Sequence, residues 1–103
     1  PPLPEPRSSH DAFVDGDRLF VVGGWTLAGG TRTWLTTAWA LDLAHPDTGW
    51  QPLPTPPFQR RALAIAVHDG ALHALGGLDQ DGEPSHRTDV LDLASGTWQS
   101  GPE

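Results

Sequence analysis

The chain has 103 residues, with thirteen Asp and Glu against six Lys and Arg and a formal charge of -7 at pH 7. That balance argues against nucleic acid or an anionic membrane as a partner, since both select basic surfaces. No apolar run approaches the roughly 20 residues of a membrane span, and the absence of Cys, Tyr and Met removes disulfides, thiolate nucleophiles, Tyr acids and soft sulfur ligands.

The first residue is Pro and no secretory signal is visible, which fits a processed segment or an engineered unit. Residues 1–7 are Pro-rich and suit neither a helix nor a central strand. Residues 9–14 predict a strand, Asp15-Gly16-Asp17 a turn, and residues 18–23 the returning strand, because Asp-Gly between apolar runs is a strong hairpin signal. Residues 25–37 read as a loop with Gly29-Gly30 at its middle. Residues 38–43 and 48–51 predict a third and a fourth strand, and Pro52, Pro54, Pro56 and Pro57 a linker. The series then returns at residues 61–68, 71–76, 88–93 and 97–99. No stretch carries helix start and stop signals.

The two halves match in detail. Leu19-Phe20-Val21-Val22-Gly23-Gly24 returns 53 residues later as Leu72-His73-Ala74-Leu75-Gly76-Gly77. Leu41-Asp42-Leu43 returns after 50 as Leu91-Asp92-Leu93, and Trp50-Gln51 after 48 as Trp98-Gln99. A period near 50 built from short apolar runs marks a repeat architecture, with units at residues 1–51 and 52–103.

Alternation along the strands indicates how they are covered. Leu63, Ile65 and Val67 lie on one face of their strand, and Ala62, Ala64 and Ala66 on the other. Neither face is polar, so both are expected to be covered. Four-stranded sheets with apolar inner strands and more polar outer ones fit the blades of a β-propeller, in which neighbouring blades cover each face.

The double Gly after an apolar strand, Leu-Asp on the third strand, Trp on the fourth, and Arg7 and Arg60 ahead of each first strand together resemble the kelch repeat. The resemblance spans nearly the whole chain as two repeats. It departs from the usual pattern at Leu41 and Leu91, where kelch repeats carry Tyr. It implies an all-β propeller fold with two four-stranded blades per chain. It also places the Arg before the first strand and the loop after Gly-Gly toward one mouth of the central channel. That would gather Arg7, Arg60, Trp25, Arg32, Trp34, His86 and Arg87 as candidate binding residues. Arg and Trp dominate interface hot spots, while the structural alternative is that the arginines satisfy loop carbonyls and the Trp rings pack the blade.

Chemistry has few footholds. Asp79-Gln80-Asp81-Gly82-Glu83 spaces carboxylates around a Gly, yet lacks the downstream bidentate Glu of a calcium loop, so a solvated turn is the simpler reading. His10, His45, His68, His73 and His86 show no metal-ligand spacing, although His68 and His73 flank one turn and His10 would be multiplied by symmetry around a channel. Residues 45–50 resemble the Asp-box turn of sialidase propellers without its Ser and Thr, and a tight turn accounts for them. Sialidase and copper-oxidase chemistry on propellers needs Tyr, or Tyr with Cys, and this chain has neither. No catalytic residue, cofactor or metal site is expected.

Two blades leave two apolar faces bare. The expected function is therefore a non-catalytic building block that self-assembles head to tail into a closed ring. Three copies would give a six-bladed homotrimer, usable as a scaffold for a protein or carbohydrate ligand at the channel mouth. The alternative is a two-blade piece of a larger ligand-binding propeller.

Overall fold

The computed structural model describes residues 2–28 and 30–100. Its strands are β1 (Asp11–Asp15), β2 (Arg18–Val22), β3 (Trp25–Ala28), β4 (Thr31–Trp34), β5 (Ala38–Asp42), β6 (Trp50–Pro52), β7 (Ala64–His68), β8 (Ala71–Leu75), β9 (Thr88–Asp92) and β10 (Thr97–Ser100). They form two four-stranded antiparallel sheets, β1-β2-β5-β6 and β7-β8-β9-β10, and a separate hairpin of β3 with β4. A short 3₁₀ turn at Pro46–Thr48 precedes β6, so residues 45–50 do form a tight turn. The all-β expectation holds among the described residues.

The two sheets share one register. Leu19 lies opposite Leu41 and Trp50 opposite Leu41 in the first sheet; Leu72 lies opposite Leu91 and Trp98 opposite Leu91 in the second. Trp50 and Trp98 therefore hold equivalent places. The first strands start later than expected, at Asp11 and Ala64, because Ser9 and Ala62 both lie in the left-handed region, with φ of 58° and 54°. An extended strand cannot run through such a residue. The two kinks also meet each other, as the Ala62 N–H donates to Ser9 O at 2.6 Å.

The loop expected over residues 25–37 is instead largely the β3–β4 hairpin. Trp25 pairs with Trp34 in register, and their rings lie 5.3 Å apart with a 49° tilt. Trp34 is half-buried on a strand, not exposed on a loop. The runs on either side of the Gly pair are only four residues long, too short for alternation to show.

The core lies between the two sheets. The back of the first sheet, which carries Phe20, Val22, Ala38 and Ala40, meets the front of the second, which carries Leu63, Ile65, Val67, Leu72, Ala74 and Leu91. The junction also holds backbone bonds. Ile65 N–H donates to Asp11 Oδ2 at 2.8 Å, and Gly24 N–H to Arg60 O at 2.9 Å. Gly23, at φ +81°, is obligatory here: a Cβ would stand 2.3 Å from Leu63 Cδ2, closer than atoms tolerate.

Covering of both faces of residues 62–67 is not what the structure shows. Leu63, Ile65 and Val67 are buried, whereas Ala62 and Ala64 are exposed and Ala66 is half-buried. Among the described residues no further sheet lies behind the second one. The missing cover is visible at the rims of the two outer faces, although Val21 and Leu41 on the front of the first sheet are buried within the chain itself. Val67 is 7 % exposed and Val22 0 %, but their counterparts Val14 and Leu75 are 55 % and 41 % exposed.

Candidate functional site

Each sheet is fastened at one end by an arginine. In the second unit Arg60 Nη1 donates to Gly76 O at 2.9 Å and Arg87 O at 3.0 Å, while Nη2 donates to Asp89 Oδ2 at 2.8 Å. Arg87 Nη2 holds the other Asp89 oxygen at 2.7 Å. The ring of Phe58 lies 4.2 Å beneath the Arg60 guanidinium and meets Trp98 edge-on at 5.5 Å. Trp98 Nε1 donates to Pro54 O at 2.9 Å.

The first unit repeats this with different parts. Arg7 Nη1 donates to Gly23 O at 3.0 Å and Thr37 O at 3.3 Å, the counterparts of Gly76 and Arg87. Its Nη2 donates to Glu5 Oε1 at 3.1 Å and Thr37 Oγ1 at 2.9 Å. Glu5 also accepts from the Thr37 hydroxyl and, at 3.1 Å, from Trp39 Nε1. Burial pushes the Glu5 carboxyl up, but the bonds from Thr37 and Trp39 and the Arg7 charge outweigh it and hold it below its ordinary range. Burial lowers both arginines, opposed by Glu5 at Arg7 and by Asp89 at Arg60.

Arg7 and Arg60 are thus carbonyl clamps with side chains closed off from solvent. They position the loops that follow each Gly-Gly pair and do not present a face to a ligand. Trp25 and Trp34 come together as a pair. They are joined by Arg61, whose guanidinium crosses from the second unit to lie 4.3 Å over the Trp25 ring. Arg61 was not singled out from sequence; its only signal was a tandem Arg60-Arg61 where the first unit has Arg7-Ser8. Arg32 falls on β4, with its side chain outside the described residues. His86 is exposed, and Arg87 projects its guanidinium partly into solvent from the buried Asp89.

Arg60 and Arg87 line a cleft of about 650 Å³ that runs between the linker, from Thr55 to Gln59, and the loop carrying Asp79, Gln80 and Ser85. Its solvent-facing donors are the Arg87 guanidinium and the side-chain amides of Gln59 and Gln80, a set suited to a polar ligand. Trp25, Trp34 and Arg7 are not among its lining residues.

The acidic turn is used internally. Asp79 Oδ1 accepts the N–H groups of Asp81 and Glu83 at 2.9 and 3.0 Å, which shapes the loop. No group of three His, Asp or Glu side chains able to hold a metal occurs among the described residues. His68 pairs with Asp69 at 3.1 Å and lies opposite Ala71, whereas His73 lies opposite Ala66, so the two histidines are diagonal neighbours on one face and not a directly opposed pair. His10 Nδ1 is buried without a hydrogen-bond partner. Burial and the Arg7 charge lower its pKa, with Asp11 opposing them.

No family model matches the chain. A solved structure described as that of YjhT is similar over 98% of this chain, with a TM-score of 0.76 at 22% sequence identity. That similarity establishes the fold alone. The chain spans 29% of the length of that structure.

Proposed function

We propose that this chain supplies two consecutive blades of a kelch-type β-propeller and acts as a non-catalytic ring module that carries a binding cleft at its loop end. One observation carries the reading: Val14 and Leu75 are exposed, while the equivalent Val67 and Val22 are buried in the junction between the sheets. The front of the first sheet and the back of the second therefore correspond to the two halves of a junction already present. Head-to-tail repetition of such a junction closes into a ring when the rotation allows it.

Three copies of the chain would give the six-bladed homotrimer. Further blades of different sequence would give a larger propeller of which this is a part, and the short span of YjhT that the chain matches favours that form. In either case the cleft near Arg87 is the place for a protein or carbohydrate ligand, because solvent-facing donors converge there.

Light scattering across a concentration series tests the module reading. Association that rises with concentration, and that Val14→Asp or Leu75→Asp abolishes, is the expected result. A monodisperse species of 11.0 kDa at every concentration, unaffected by either substitution, would overturn it.

A further inference from the structure

We propose that the open front of the first sheet docks the back of another sheet of the same repeat type but of different sequence, one bearing a carboxylate at the position of Asp11, and that a second copy of this chain is the wrong partner. The proposal rests on the ring reading and asks what closes the ring. The internal junction is its template, since every position on an open face has a counterpart there.

The template joins a front to a back. Its front presents Leu63, Ile65 and Val67; its back presents Phe20, Val22, Ala38 and Ala40 around the Asp11 carboxylate. On the open front, the counterparts of Leu63, Ile65 and Val67 are His10, Ala12 and Val14. On the open back of this chain, the counterparts of Phe20, Val22, Ala38 and Ala40 are His73, Leu75, Thr88 and Val90, and that of Asp11 is Ala64.

Copy-to-copy docking would therefore lose features that hold the template together. The Ala12 N–H, which takes the place of the Ile65 N–H, would meet Ala64 and find no carboxylate. A buried N–H left without an acceptor is strongly unfavourable. His10 would be pressed onto Gly76, the counterpart of Gly23, in the place where the template has Leu63, so an imidazole would replace an apolar side chain. His73 would stand in the place of Phe20, which is buried in the core. Polar groups brought into an apolar junction without partners oppose association.

The front of the first sheet thus specifies its partner. That partner has an apolar back face and a carboxylate aligned with the Ala12 N–H. A sheet with the back of this chain's own first unit meets both conditions. The back of its second unit meets neither the carboxylate nor the fully apolar condition. Discrimination of this kind, by groups left unpaired in the wrong complex, is how related interfaces exclude one another.

The test converts the chain into its own partner. His10→Leu, His73→Phe and Ala64→Asp together restore to the two open faces the carboxylate and two of the apolar side chains of the internal junction. Sedimentation should show a discrete species of about 33 kDa, three chains of 11.0 kDa, where the unaltered chain shows only weak, open-ended association. Ala64 is exposed, so Ala64→Asp alone leaves the fold intact and should tighten association roughly tenfold through the restored hydrogen bond. Circular dichroism confirms that each variant is folded. An unaltered chain that already closes into a trimer as tight as that of the triple variant overturns the partner proposal and leaves the ring reading standing. Variants that gain no association, beside an unaltered chain that stays at 11.0 kDa, overturn both.

Discussion

The two arginine clamps solve one problem with exchanged parts. In the second unit the linker supplies an aromatic, Phe58, and the third strand supplies the carboxylate, Asp89. In the first unit the linker supplies the carboxylate, Glu5, and the third strand supplies the aromatic, Trp39. Glu5 stands 53 residues before Phe58, and Trp39 stands 50 before Asp89, the same offsets as the repeat itself. The guanidinium demands one anion and tolerates it from either side. What changes is burial: Asp89 is 0 % exposed and Glu5 34 %. The same ion pair is therefore internal in one unit and marginal in the other.

The largest expected effect follows from that contrast. Asp89→Ala leaves Arg60 and Arg87 facing a buried void without their anion and should destabilise by about 3–5 kcal/mol. Glu5→Ala should lose only about 1 kcal/mol, because Arg7 keeps Thr37 and two carbonyls and water reaches the vacated place. Urea unfolding of the two variants measures the difference, and equal losses would break the comparison.

The glycines sharpen it at the junction. Gly23→Ala drives a Cβ to 2.3 Å from Leu63 and 3.0 Å from Arg60 O, while Gly76→Ala meets nothing nearer than Ser85 O at 3.6 Å. Both replacements bear the strain of a positive φ. Gly23→Ala should be worse by about 1–3 kcal/mol, the usual range for overpacking. If a sheet docks behind the second unit, Gly76→Ala should approach Gly23→Ala in severity, which thermal unfolding in the assembled state would reveal.

Exchanging the parts deliberately is a third measure. Glu5→Phe with Trp39→Asp rebuilds the second unit's clamp in the first. Each single change should destabilise, and the pair should recover about 0.5–3 kcal/mol relative to their sum. A strictly additive cycle would show that aromatic and carboxylate are not coupled.

The smallest effect is in pH. The Glu5 carboxyl is lowered from its ordinary value of 4.5, so its contribution is complete above that value and is lost as pH falls through the folded one. The difference in urea midpoint between the parent and Glu5→Gln should be constant at neutral pH and shrink below about 4.5. A difference that grows on acidification would contradict the assigned direction.

Much of this architecture is written locally. The hairpin turn at Asp15-Gly16, the apolar strands that end in Gly-Gly, and the recurrence of Leu-Asp-Leu and Trp-Gln all lie within a few residues of the structure they specify. The strands and their pairing partners were therefore legible, and so was the equivalence of Arg7 with Arg60. The β3–β4 hairpin was not, because its two short runs are held by a Trp25–Trp34 contact that no alternation announces. The crossing of Arg61 onto Trp25 was hidden for a similar reason, since it joins one unit to the other. Sequence alone determined that there are two sheets of one design, because alternation and turn chemistry act over two to six residues. Only the tertiary structure decided which carboxylate each arginine takes and which faces stay open. Those outcomes depend on where a linker and a distant strand converge in space, and that convergence is set by packing between the sheets.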